Sequence, residues 1–419
     1  MHAFCGLDFG TSNSTIGIGM NNICQLVPLE NNKPTIRSAI FCDAEDKRWV
    51  FGQEGINSYL NGVPGRLMMA LKSVLGSSLM DDKTVIFEEF IPYSSVLKHF
   101  VSHLKSTAEK RAETELTHVV LGRPVRFHDN DDEKDRLAQN TLETIVRELG
   151  FKEVSFQYEP IAAAMAYETS IQTEQLALII DMGGGTSDFT VIRLQPGSTS
   201  PYRSDDVLAN CGIHIAGTDF DQRLSTKTVM PLLGMGSHMR GSSSDIEVPS
   251  MFYHDLTTWH TLSNLYGSST LSQVKSILSM SHEKPLISRL LSVLKSRAGH
   301  HILDVVETGK QRLSEEQSIK LDLSFIEDEL SSIVQRSTFN DVIEDHVQRI
   351  LDTITQTIQL AAVKHSDISA IFYTGGSTKI PIIREKINVL FPHAEVVQGD
   401  AFGSVGLGLT LDAQRKYGR

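Results

Sequence analysis

Cysteine is scarce in this chain: Cys5, Cys24, Cys42 and Cys211 are the only four in 419 residues. None forms a C-x-x-C pair or joins a nearby histidine at ligand spacing, so zinc and dithiol chemistry are poor readings and buried free thiols are expected. Positive charge is also short. With 39 Lys and Arg against 51 Asp and Glu, the formal net charge is −12, which argues against a nucleic-acid partner, because phosphate backbones require clustered Lys and Arg. No run approaches the roughly 18 apolar residues of a membrane span. The first twenty residues contain Asp8 and lack a basic start, so no signal peptide is expected. A reducing, cytoplasmic setting with no membrane partner follows as the expectation. The common phosphate templates are missing too: there is no G-x-x-x-x-G-K-[ST], and no G-x-G-x-x-G opening a helix.

What the chain does contain is one device used twice. Asp8-Phe9-Gly10-Thr11-Ser12-Asn13-Ser14 and Asp181-Met182-Gly183-Gly184-Gly185-Thr186-Ser187-Asp188 each put an aspartate at the end of an apolar run. Glycine and hydroxyl residues follow, and a second apolar run leaves. The pattern predicts a strand, a tight turn and a returning strand. Glycine there permits positive φ and lets a phosphate approach backbone N–H groups, while the aspartate offers a carboxylate to a metal on that phosphate. Either stretch alone is compatible with an ordinary Gly-rich hairpin. Together they point to a clamp on a polyphosphate, and the acidic balance is no obstacle to ATP, which a few backbone donors, one lysine and a magnesium ion can hold.

At 46.4 kDa the chain exceeds the roughly 250–300 residues at which single cores stop growing. In the first half, strand-like pieces at Phe4 to Asp8, Thr15 to Gly19, Arg37 to Phe41 and His118 to Gly122 alternate with helix-like pieces. One helix is predicted from about Asp131 to Leu149, with acids in its first turn and Gly150 as its stop. Another starts at Glu159-Pro160, where proline suits the first helical position. The second half reopens with a hairpin at Leu176 to Asp181 and Phe189 to Leu194. A long helix follows at about Phe339 to Lys364, with Ile343, Val347, Ile350, Ile354, Ile358 and Ala361 on one side. Tyr373-Thr374-Gly375-Gly376-Ser377 reads as strand then turn. Alternating strands and helices indicate an α/β architecture. Leu232 to His301, rich in Ser, His and Met, breaks the pattern. It is expected to be a helical or irregular surface insertion, with a partner-binding element as the alternative.

These pieces, in this order, resemble the ATPase domain of the DnaK family, the seventy-kilodalton heat-shock chaperones, within the actin and sugar-kinase superfamily. Leu7 to Ser14 is similar to the family's first phosphate loop, Asp181 to Asp188 to its second, and Glu159 to Tyr167 to its connecting segment. Gly217-Thr218-Asp219-Phe220-Asp221 resembles a further signature, Thr374 to Pro381 the adenosine motif, and Glu307 to Ser314 the helix that grips the nucleoside. Lys72, before an apolar pair and Gly76, matches the lysine that stands beside the γ-phosphate. Bacterial actin-like proteins lack that lysine, which favours the chaperone type.

The resemblance implies a duplicated ribonuclease-H-like, actin-type ATPase fold with two lobes around a nucleotide cleft, placed at 1–170 and 171–419. It implies slow, Mg2+-dependent hydrolysis of ATP to ADP by an in-line water, with lobes that respond to nucleotide state. Asp8 and Asp181 would hold Mg2+ through its waters, and Glu159 would orient a metal-bound or attacking water. Lys72 would offset charge on the γ-oxygens, and Thr186 would contact the γ-phosphate. Gly10, Thr11, Ser12, Asn13, Gly183, Gly184 and Gly185 would cradle the phosphates, with Gly217, Thr218 and Asp219 also at the nucleotide. Glu307, Lys310 and Ser314 share one helix face at a spacing that reaches ribose and base. Gly375, Gly376 and Ser377 would meet the nucleoside, with Asp400 near the base.

There are departures. Gln311 and Lys379 stand where the family commonly sandwiches adenine between two arginines, and neither stacks as a guanidinium does. Ala216 stands where glycine is frequent and requires negative φ. Asp188 is equally suited to capping its own turn and to placing water. The chain stops at Arg419, directly after the last expected helix, so no built-in peptide-binding domain is expected; with the long 232–301 stretch this resembles the short, YegD-type branch. The expected function is a chaperone-like ATPase. A nucleotide-gated adaptor that recruits a protein partner through 232–301 is the alternative, followed by an actin-like filament protein and a small-molecule kinase.

Overall fold

The computed structural model describes residues 3–418, apart from 21–22, 81, 129–130, 198–202, 242–243, 260 and 398–402, with only the backbone of Met20 and Ser263. Two compact units divide the chain. The first comprises Met1–His214, Asp352–Thr378 and Ile387–Arg419, and the second Ile215–Leu351 and Lys379–Lys386. The 170/171 boundary anticipated for two lobes falls inside the first unit.

Two sheets of the same topology organise the first unit. In one, β1 (Phe4–Phe9) pairs antiparallel with β2 (Asn13–Met20), which also carries β3 (Ile23–Leu26) and the short β4 (Thr35–Arg37). On the far side of β1 lie the parallel strands β5 (His118–Arg123) and β6 (Glu153–Tyr158). The other sheet repeats this plan. Here β7 (Gln175–Met182), β8 (Ser187–Leu194) and β9 (Val207–Ile213) form the antiparallel part, and β10 (Ile368–Thr374) and β11 (Glu395–Val397) extend β7 in parallel. Spatial orders β3-β2-β1-β5-β6 and β9-β8-β7-β10-β11 therefore correspond strand for strand. This is the duplicated α/β fold of the actin type.

Apolar runs explain why these strands are central. Leu7, Ile16, Ile18, Val119 and Val120 in one sheet, and Leu178, Ile180, Val191, Ile192 and Ile371 in the other, are essentially inaccessible to water. Burial on both faces is what continuous β-branched and leucine runs encode. Helix α1 (Glu159–Glu168) and the closing helix Ser404–Tyr417 supply Ile161, Ala162, Ala164, Leu409 and Ala413 to a core shared with Val120, Ala177, Ile179 and Phe372. The two helices meet closely: a β-carbon at Gly408 would collide with the Ala162 carbonyl. The helix predicted at Asp131 runs Asp132–Glu148, with the Asp131 carboxylate accepting from Lys134 N–H at 3.0 Å and Gly150 at φ +93° just beyond its end.

In the second unit, α2 (Gly217–Thr228) and α3 (Gly299–Leu313) pack together, and α3 also packs on the strand Ser318–Asp322. The 232–301 stretch is largely regular. A hairpin pairs His238–Arg240 with Asp245–Glu247, and helices run Met251–Leu256, Ser268–Met280 and Lys284–Ser296. Tyr253, Val274, Ile287, Leu290 and Leu294 are buried there, so this stretch has an apolar interior. The helix anticipated near Phe339 spans Arg336–Leu360, and its Ile343, Val347, Ile350, Ile354 and Ile358 are buried. It ends before Lys364, with Ala362 left-handed at φ 55°. Among the described residues no helix is long and apolar enough to cross a membrane.

Candidate functional site

Strand alternation aims the two aspartates. Leu7 and Phe9 point into the core at 2% and 3% exposure, leaving Asp8 on the other face of β1 opposite Thr15 of β2. Ile180 and Met182 are likewise buried, and Asp181 sits between them, opposite Asp188 and beside Thr374 of β10. Both carboxylates thus stand at the end of a hairpin.

The loops are held by hydroxyls and tight turns. Ser38 donates to the Gly10 carbonyl at 2.7 Å, and its N–H donates to Ser12 O at 2.9 Å, fixing Gly10, Thr11 and Ser12 ahead of Asn13, which opens β2 opposite Arg37. In the second loop Gly183 N–H donates to Thr186 O at 3.1 Å, and Ser377 Oγ donates to Gly183 O at 2.7 Å. Gly185 and Thr186 form the exposed tip. Gly375 has φ +77°, and a β-carbon there would strike the Met182 carbonyl and crowd Asp181, so only glycine lets the Gly375-Gly376 turn approach this strand. A β-carbon on Gly184 would strike the Ser12 hydroxyl. The two loops therefore touch.

Lys72 lies on the short helical turn Leu71–Val74 and donates to Glu159 Oε1 at 2.8 Å, with both side chains close to nine-tenths buried. Glu159 opens α1, where Pro160 fits the first turn. Burial raises Asp8 most, and repulsion from Glu159 adds to it, bringing its carboxyl up to about 8 against the pull of Lys72. Asp181 is raised to about 6 by the same causes. Burial alone would lower the Lys72 ammonium, but Glu159 and Asp8 outweigh it and its affinity for the proton rises. Three carboxylates thus share one ammonium. That excess of buried negative charge is what a divalent cation relieves. Among the described residues no three His, Cys, Asp or Glu side chains converge as a metal-chelating group. Carboxylate oxygens beside the hairpin loops are donors of the kind that suit a hard, oxygen-seeking cation such as Mg2+.

The remaining candidates belong to other elements. Gly217, Thr218 and Asp219 form the first turn of α2, where the Asp219 carboxylate accepts the Ala216 N–H at 2.9 Å. Ala216 has φ −158°, a negative value open to alanine. On α3, the exposed Gln311 amide donates to Glu307 Oε1 at 3.2 Å, and Ser314 ends the helix. Lys310 is buried, its ammonium donating at 2.7 Å both to Asp221 Oδ2 and to the Gly217 carbonyl. Lys379 is exposed at the end of the turn Gly376–Lys379. Asp400 lies outside the described residues. Sequence reasoning missed Ser38, the anchor of the first loop, and Asp221 as the partner of Lys310. It also missed Gly122, where a β-carbon would strike Leu409 and crowd Glu159. Asp221 alone carried a signal, as the second acid of its motif.

The family model described as Hsp70 protein matches residues 4–231 and 291–413. Chaperone protein HscA homologs are similar along almost the whole chain. The one from Shewanella woodyi is 24% identical over 97% of this chain and 57% of its own length. Those from Pseudomonas aeruginosa and Haemophilus influenzae are 23% and 22% identical, covering 99% and 97% of this chain and 58% and 57% of theirs. The chain thus spans somewhat over half the length of these relatives. With the family match covering both hairpin loops, Lys72, Glu159 and α3, the chain belongs to the Hsp70 family.

Proposed function

We propose that this chain binds Mg-ATP and hydrolyses it slowly to ADP, and that its conformation follows nucleotide state, as in a chaperone-type ATPase. The observation that carries this is the joining of Asp8, Lys72, Glu159 and Asp181, from four separate segments, beside two touching Gly-rich loops. Mg2+, when bound, supplies positive charge to phosphate oxygens and ordered water. Asp8 and Asp181 would hold the ion through its waters. Lys72 places its charge near the transferred phosphoryl group, Glu159 holds Lys72 and orients water as a weak base, and the Thr186 hydroxyl donates to a terminal phosphate oxygen. Backbone N–H groups of Gly184, Gly185, Thr11 and Ser12 hold the remaining oxygens. No covalent bond to the protein is needed.

The test combines a melting scan in Mg-ATP and Mg-ADP with a phosphate-release assay. The expected result is stabilisation by both nucleotides with slow turnover that disappears in Lys72→Ala, while Lys72→Ala still binds. A chain indifferent to millimolar nucleotide would overturn the proposal. Most of the described residues of 232–290 lie in helices or a hairpin, yet the stretch falls outside the family match, and this favours one second reading. In it, the chain is a nucleotide-gated adaptor that meets a protein partner there, and its mark would be stabilisation without phosphate release.

A further inference from the structure

The helical turn that carries Lys72, Leu71–Val74, is only four residues long, and a turn so short holds its shape through few bonds of its own. Inside it, the Leu75 N–H donates to the Lys72 carbonyl at 3.2 Å. The outside support comes from His128, whose Nε2–H donates to the Leu75 carbonyl at 2.5 Å across 53 positions of sequence. A carbonyl oxygen only accepts, so Nε2 carries the proton. Gly76 follows at φ +76°, and a β-carbon there would strike both the His128 ring and the Lys134 carbonyl. Leu75-Gly76 is thus seated between His128 and the first turn of the helix Asp132–Glu148. His128 is itself fixed. Beside it the Phe127 N–H donates to the Asp135 carboxylate of that helix at 2.6 Å, and the same carboxylate accepts the Arg123 guanidinium at 2.8 and 3.1 Å. Arg123 ends β5 and lies over the rings of Phe127 and Tyr158, and Tyr158 directly precedes Glu159, the partner of Lys72. One segment, Arg123 to His128, therefore braces both residues of the Lys72–Glu159 pair.

We propose that His128 is a positioning residue for phosphate release: through the Leu75 carbonyl it fixes the turn on which Lys72 stands, and so the place of the ammonium beside the transferred phosphoryl group. This rests on the ATPase reading for its effect on turnover, and stands without it for its effect on the turn. A lysine stem is long and flexible, so where its ammonium falls depends on where its backbone is held. Glu159 holds the charged end and His128 the backbone end. Ala70, just before the turn, is left-handed at φ 56°, a strained conformation that persists only where the surroundings over-determine it. Loss of the His128 donor leaves the Lys72–Glu159 pair and its charge in place but loosens its position. Such a change slows the reaction more than it weakens binding.

The experiment uses the full chain with three variants, at a temperature where melting shows each to be folded. His128→Phe keeps a ring and loses the donor, His128→Gln carries an amide N–H to the place of Nε2, and Gly76→Ala disturbs the same contact from the other side. Affinity for Mg-ATP and phosphate release at saturating Mg-ATP are measured for each. His128→Phe is expected to slow release about tenfold while affinity stays within about twofold. Gly76→Ala should follow it, and carries the test if His128→Phe does not fold. His128→Gln should keep most of the rate. An unchanged rate in His128→Phe overturns the proposal, as does a His128→Gln variant no better than His128→Phe. Affinity that falls in step with the rate would make His128 a nucleotide ligand and overturn it too. Amide exchange supplies the readout that needs no nucleotide, because the Leu75 and Ser77 N–H groups donate to the Lys72 and Val74 carbonyls. Faster exchange at these two amides is expected in His128→Phe and not in His128→Gln, and unchanged exchange in His128→Phe overturns the pinning. If the starting chain releases no phosphate, the ATPase reading falls while the exchange result still decides the role of His128.

Discussion

Asp8 sits among more carboxylates than cations, and burial first and repulsion from Glu159 second raise its affinity for the proton. Asp8→Asn removes one of the crowded charges while keeping shape. The expected outcome is a metal-free protein that melts a few degrees higher, with phosphate release down at least about 100-fold, the usual trade between stability and a strained site. A lower metal-free melting point would show that the cluster is not repulsive. A second residue-scale consequence concerns His300, which is 7% exposed against the Trp259 ring at 4.8 Å. Burial pushes it down to about 4, below the unfolded value of about 6.5. The unfolded chain therefore takes up a proton first as pH falls. Stability from neutral His300 is complete above pH 6.5, declines between 6.5 and 4, and amounts to roughly 3 kcal/mol at most. Urea midpoints at pH 7 and 4.5 should fall less for His300→Leu than for the starting chain; equal falls would remove His300 as the cause.

Among the elements, the hairpin joining Lys83–Ile86 to Glu89–Pro92 turns through Phe87 and Glu88, both left-handed at φ 52° and 71°. Such a turn favours Asn-Gly, because side chains in that region are strained by about 1–2 kcal/mol. Phe87 has compensation in an edge-on contact with Trp49 at 5.5 Å, whereas the contact of Glu88 with Lys47, at 3.8 Å and well exposed, contributes little. Glu88→Gly should therefore stabilise the chain by about 1 kcal/mol in urea unfolding; destabilisation would mean that the turn holds Glu88 for another reason. The strand pairs around Asp8 and Asp181 were legible because a hairpin writes its turn and both arms consecutively, from Phe4 to Met20 and from Gln175 to Leu194. The Asp132–Glu148 helix was legible through its cap and stop. The interior of 232–301 was not, since its serines mask the spacing of Ile287, Leu290 and Leu294. Nor was the partner of Lys310, because Asp221 lies 89 positions away and only the packing of α2 on α3 brings them together. Lys72 shows the same limit, since its bond to Glu159 spans 87 positions and its surroundings in sequence read as an ordinary surface lysine.

For the molecule as a whole, charge decides how nucleotide and metal must act together. The chain carries a formal −12, and the cluster at the hairpin ends adds three carboxylates around one lysine. Bringing an unshielded triphosphate to that place would set like charges together with little water between them. With Mg2+ present, the same carboxylates become favourable partners through the ion's water. Affinity for ATP is thus expected to fall at least about 100-fold when the metal is chelated, far more than for a site built only of backbone donors. Binding to the native state alone stabilises it by roughly 2.7 kcal/mol at a hundredfold excess over the dissociation constant. Mg-ATP should then raise the melting temperature by several degrees, and the same ATP in excess EDTA should scarcely move it. Asp181→Asn should respond weakly to Mg2+ at equal ATP, because one of the two groups that make the metal favourable is gone. Equal stabilisation by ATP with and without metal would refute this electrostatic account, since backbone contacts would then suffice and the paired aspartates would have no part in binding.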